Sequence, residues 1–111
     1  MCEPGAIALI PFPYSDLSAT KRRPVLILTQ PDPRGDFIAM PITSKQPKAA
    51  FFALNAGPLS DSGNLPLDSW IKTNTCFSLS SSLIIKVLGK LSKDQRLICV
   101  KQLCEYLQQQ P

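Results

Sequence analysis

Proline is the residue that most limits what this chain can become. Eleven prolines in 111 residues each fix φ and remove a backbone donor, which interrupts helices and central strands alike. They leave short apolar runs bounded by proline or glycine: GAIALIPF (5–12), RPVLIL (23–28), DFIAMPITS (36–44) and AFFAL (50–54). Each run is partly β-branched or aromatic and of strand length, which reads as a strand. LDSWIKTN (67–74) and SLIIKVLGKL (82–91) are each expected to supply one more. Between the first two runs lie ten residues rich in Ser, Asp, Thr and cations, a long hairpin with a mobile, charged loop. PDPRGD (31–36) is a turn signal, and NAGPLSDSGNLP (55–66) has loop composition.

The chain ends differently. Ser92 followed by Gln95 forms a capping-box pattern, and Asp94 places negative charge in the first turn, where it suits the helix dipole. Leu97, Val100, Cys104 and Leu107 recur at helical spacing and predict one apolar stripe on a terminal amphipathic helix. The fold class is therefore mainly β (α+β): about five to seven short strands forming a small, strongly curved barrel or sandwich, because closure removes the exposed edges that proline only blunts. At 12.2 kDa one domain over 1–111 is expected, with the barrel at 4–91 and the helix at 92–109.

With 44% hydrophobic and 18% charged residues spread along the chain, disorder is not expected. No apolar stretch approaches the ~20 residues that span a bilayer, and no secretory signal is visible. Cys2, Cys76, Cys99 and Cys104 contain no C-x-x-C spacing, so buried, reduced thiols in the cytoplasm are expected. Lys21, Arg22, Arg23, Arg34, Lys45 and Lys48 face only Asp32 and Asp36 within residues 21–48, which accounts for the whole net charge of +4. Such a segment either attracts a polyanion or is a plain solvated surface.

Without histidine there is no imidazole base, no His-based triad and no His-containing zinc site within one chain. Cys99 and Cys104, five apart on the predicted helix, do not share a face for a Cys-only site. Glycine-rich phosphate loops are absent as well. What remains is a guanidinium, hydroxyls and a few carboxylates, a set suited to holding phosphate charge and to phosphodiester cleavage without metal. Arg23 is held extended by Pro24; it either binds an anion or closes a hairpin loop. Thr43 and Ser44 end a strand, where they either meet a phosphate or close a local turn.

PGAIALIPFPYSDLSATKRRPVLIL, then IAMPITS, then DSWIKTNTCFSLSSSLIIKVLGKLS resemble the MazF/PemK-type toxins of bacterial type II toxin-antitoxin systems, most closely the PemK-like branch. The resemblance covers nearly the entire chain in order. It implies an SH3-like barrel with a C-terminal helix, usually a homodimer, acting without cofactor or metal as a sequence-selective endoribonuclease on single-stranded RNA. Products would carry 2′,3′-cyclic phosphate and 5′-hydroxyl ends, and a cognate antitoxin protein would neutralise the activity. The family's catalytic arginine falls on Arg23 and its threonine on Thr43, with Ser44 beside it. Tyr14, Lys21, Arg22, Lys45, Lys72 and Asn74 are the implied RNA contacts, whereas Trp70 is expected in the core. Two positions depart from the pattern: Ala6 and Asn74 stand where relatives carry carboxylates, which would weaken activity if those groups orient the arginine or move a proton. The alternative expectation is a catalytically silent RNA- or protein-binding barrel.

Overall fold

The computed structural model describes residues 3–13, 20–43, 53–55 and 69–111, with the backbone alone at 12–13, 20–21 and 53–55. Its strands are β1 (Ala6–Pro13), β2 (Thr20–Ile27), β3 (Asp36–Thr43), β4 (Ala53–Asn55), β5 (Trp70–Lys72), β6 (Phe77–Ser80) and β7 (Lys86–Lys90), followed by helix α1 (Lys93–Gln108). All pairings are antiparallel, in the order β4-β5-β3-β2-β1-β7, with β6 also on β3. Among the described residues β4 and β7 do not pair, so the curved sheet is not closed into a ring. The mainly β reading with a terminal helix holds, and no helix among the described residues is long and apolar enough to cross a membrane.

The apolar runs read as nearly continuous because β1, β2 and β3 are buried on both faces. One cluster joins Ile7, Leu26, Met40, Ile42 and Ile71 to Leu91 and Cys99, beneath α1. The other joins Ala6, Ala8, Ile10, Val25, Ile27, Phe37 and Ala39, with Phe77, Leu79 and Ile84 against it. Alternate residues of each strand thus enter different clusters, as the period of two requires.

The turn before β3 forms as its residues predict. Asp32 Oδ1 accepts from the N–H groups of Arg34 and Asp36, both at 2.9 Å, and Gly35 takes φ +86°. SLIIKVLGKL supplies one strand, β7, as expected; it begins within a 3-10 turn at Ser81–Leu83 that follows β6. The Ser80 hydroxyl caps that turn by accepting from the Ser82 N–H at 3.3 Å, a local bond that competes with strand pairing. The charged hairpin loop is shorter than expected, since 13 belongs to β1 and 20–22 to β2; residues 14–19 and the predicted loop beyond Asn55 lie outside the described residues.

Helix α1 is capped as expected, the Ser92 hydroxyl accepting from the Gln95 N–H at 3.2 Å with Asp94 in the first turn. Its apolar stripe, however, points elsewhere. Leu97 and Leu107 are 47% and 59% exposed and Cys104 is exposed. The packed face runs instead through Ser92, Gln95, Arg96, Cys99, Gln102, Leu103 and Tyr106, with half-buried Val100 at its edge as the one stripe residue that reaches it, and it is rotated by roughly a third of a turn from the apolar one. Polar residues occupy that face because partners await them: the Thr73 hydroxyl donates to Gln102 Oε1 at 2.8 Å. Replacing Ser92 with Ala removes the acceptor for a helix N–H and is expected to cost about 1 kcal/mol, read from the shift in the urea midpoint.

Candidate active site

The register of the sheet brings two sequence-distant candidates together. Arg23 pairs with Ile10 across β1 and β2. On the other side, β2 and β3 pair through Ile27↔Ala39, Leu26↔Met40 and Val25↔Pro41. Beyond the last of these pairs, alternation puts Arg23 on the face of Val25 and Thr43 on the face of Pro41, so the two share one face of neighbouring strands. Thr43 pairs in turn with Trp70, and Trp70 with Asn55. One row of paired positions thus crosses three strands as Thr43, Trp70 and the β4 position Asn55, with Arg23 on the same face of β2 beside it.

This face is the one occupied by Ile10, Val25, Ile27, Phe37 and Ala39, opposite to the face under α1. The row lies where that cluster ends, and Arg23, Thr43 and Trp70 are all half-buried. A guanidinium and a hydroxyl at the rim of an apolar floor are poised to hold an anion while the floor excludes water from one side. Pro24 keeps Arg23 in an extended strand, as the sequence predicts.

The remaining candidates separate. Arg22 is exposed and, by strand alternation, projects from the opposite face to Arg23. Arg22 and Arg23 therefore do not act as one cluster on one face. Lys21 lies in β2 opposite Phe12, while Tyr14, Ser44 and Lys45 fall outside the described residues. Lys72, exposed, shares the row's face two residues beyond Trp70. Asn74, half-buried, follows in a turn where its Oδ1 accepts from the Thr75 hydroxyl at 3.2 Å.

Ala6 is 2% exposed and sits in the apolar cluster on β1. It is four residues from Ile10, about 13 Å by strand rise, so it is remote from the Arg23 row. A carboxylate there would not touch Arg23 within one chain. Trp70, read from sequence as core, instead lies in the row and in neither apolar cluster of buried residues. The signal was available in the alternation of Trp70, Ile71 and Lys72, since Ile71 at 0% exposure takes the core side.

Of the thiols, only Cys99 is buried among the described residues; Cys76 and Cys104 are exposed, which corrects the expectation that all are buried. Burial pushes the Cys99 pKa up to about 11 against a smaller lowering by a backbone hydrogen bond, so it carries no thiolate at neutral pH. Among the described residues no three His, Cys, Asp or Glu side chains converge to hold a metal ion.

Fold and face together define a small antiparallel sheet that brings a guanidinium and a hydroxyl to one face. The family described as PemK-like, MazF-like toxin of type II toxin-antitoxin system matches residues 3–107, and the chain belongs to it. Solved structures share the fold. A mycobacterial endoribonuclease in complex with its cognate antitoxin aligns at TM-score 0.74 and 17% identity, over 98% of this chain and 97% of that one. A chain of the MazE-MazF complex (Form-II) from Deinococcus radiodurans gives 0.76 and 19%, over 97% and 96%. The Mycobacterium tuberculosis toxin MazF-mt6 gives 0.67 and 19%, over 96% and 99%. Among curated proteins nothing matches the chain.

Proposed function

We propose that this toxin is a metal-independent, sequence-selective endoribonuclease acting on single-stranded RNA in the cytoplasm. The observation that supports the reading is that Arg23 and Thr43 lie on one face of the neighbouring strands β2 and β3. The ribose 2′-hydroxyl attacks the adjacent phosphorus and loses its proton; the bond to the 5′-oxygen breaks and that oxygen gains a proton. The products are a 2′,3′-cyclic phosphate and a 5′-hydroxyl. Negative charge grows on the phosphoryl oxygens as the transition state forms. Arg23 meets it with paired N–H donors, and Thr43, with Ser44 next in sequence, fixes the phosphate. A guanidinium is a poor proton acceptor because its pKa exceeds about 12, so Arg23 acts through charge. Lys72 and Asn74 contact the strand beyond the scissile phosphate, and Tyr14, Lys21 and Lys45 complete the basic groove, while Arg22 adds only long-range attraction from the other face.

The partners follow from the same surface. A cognate antitoxin would lay an acidic segment, ordered on binding, over this groove. Leu97 and Leu107, both exposed on one side of α1, offer apolar area for a homodimer.

The test is cleavage of a mixed-sequence single-stranded RNA in EDTA, with product ends identified by mass. Discrete cuts ending in cyclic phosphate are expected, and one 2′-deoxy substitution at a cut site is expected to abolish that cut. Binding without product in every RNA would overturn the reading in favour of a catalytically silent binding barrel.

A further inference from the structure

Strands β5 and β6 run along the same edge of β3 but in different registers. Ile42 and Thr43 pair with Ile71 and Trp70, whereas Ala39 pairs with Phe77. Between these pairings Met40 and Pro41 face five residues, Lys72 to Cys76. The surplus is taken up in a turn closed by the Thr75 N–H donating to the Lys72 carbonyl at 3.2 Å. Lys72 and Asn74, the two candidate RNA contacts beyond Trp70, both lie on this excursion.

An excursion from a three-residue strand needs an anchor, and this one is anchored from behind. Thr73 is fully buried although it sits in a turn. A buried hydroxyl is costly without a partner, and Gln102 Oε1 of α1 accepts from it at 2.8 Å. Trp70 and Lys72 face the row while Ile71 and Thr73 face the helix, so the bond pins the reverse side of the segment that presents Lys72.

We propose that Gln102 is a positioning residue: through Thr73 it sets the Lys72–Cys76 excursion, and with it RNA contact, from the face of the sheet remote from RNA. The inference rests on the endoribonuclease reading for its consequence, but its structural part stands alone.

The test compares Gln102→Leu, Gln102→Glu, Thr73→Val and the Thr73→Val, Gln102→Leu pair in the full chain. Hydrogen exchange at the Thr75 amide, the thermal midpoint, and KM and kcat on an RNA oligonucleotide cut by the wild type are measured together. Gln102→Leu and Thr73→Val are each expected to speed Thr75 exchange and to raise KM about fivefold with kcat little changed, the pattern of lost binding contacts. Gln102→Glu, which keeps an acceptor, is expected to restore KM, and the double variant to be no worse than either single one, as for residues sharing one bond. A lower thermal midpoint with unchanged KM would make the bond structural only and overturn the proposal. A wild type that binds but does not cut RNA would refute the ribonuclease reading alone; oligonucleotide affinity then replaces KM, with the same loss supporting the proposal and unchanged affinity overturning it. A wild type that neither cuts nor binds overturns both.

Discussion

Replacing Arg23 with Ala is expected to reduce RNA cleavage by roughly a thousandfold while the fold survives, on the scale of removing a preorganised transition-state donor. The expectation comes from where charge appears. In the ground state a phosphodiester carries one negative charge, and a nearby cation chiefly improves binding. As the 2′-oxygen attacks, charge on the phosphoryl oxygens increases, and a planar fork on a rigid strand meets it without reorganising. The loss should therefore fall on the single-turnover rate in EDTA more than on affinity. Arg23→Lys retains the charge without the fork and should be intermediate. Arg22→Ala, one residue away but exposed on the other face, should cost mainly affinity and make it less salt-dependent. Arg23 belongs to neither apolar cluster of buried residues, so far-UV circular dichroism should show the sheet intact in its variants. Cleavage by Arg23→Ala within tenfold of wild type would remove the proposed role.

Much of this face was legible before any coordinates. Proline and glycine bound the strands, Pro24 marks Arg23 as extended, and the Ser92 cap marks where the helix begins. These are local rules, and they succeed because each is settled within a few residues. That Arg23 and Thr43 come to share one face is not local. It depends on the β2–β3 register, which the turn around Asp32 and Gly35 fixes and which composition does not display.

The misses share a cause. The stripe of Leu97, Val100, Cys104 and Leu107 has helical spacing, yet the face that packs is set by what the sheet offers, including the buried hydroxyl of Thr73. The Lys21, Arg22 and Arg23 run looks like one patch in one dimension, but strand alternation divides Arg22 from Arg23. Trp70 looks like core by size, but it stands half-buried beyond the end of the apolar cluster on its face, while Ile71 fills the cluster on the other.

That packing makes Ile71 the residue on which both stability and the site should depend most. Ile71→Ala is expected to destabilise the chain by about 2–5 kcal/mol, the range for deleting a buried aliphatic side chain in a packed cluster. Ile71 is fully buried among Ile7, Leu26, Met40, Ile42, Leu91 and Cys99, and β5 is only three residues long. The ladder alone is too short to hold the strand's position, so the side chain carries much of that task. Loss of Ile71 should loosen Trp70 and Lys72 on the opposite face as well, raising KM at temperatures where the variant is still folded. Ile85→Ala is the control: the same deletion at a side chain 44% exposed is expected to change stability by less than about 0.5 kcal/mol. Urea unfolding of both variants, with equal m-values confirming a shared unfolding transition, measures the difference. Equal midpoints would mean that the cluster beneath α1 is not the core that holds this strand.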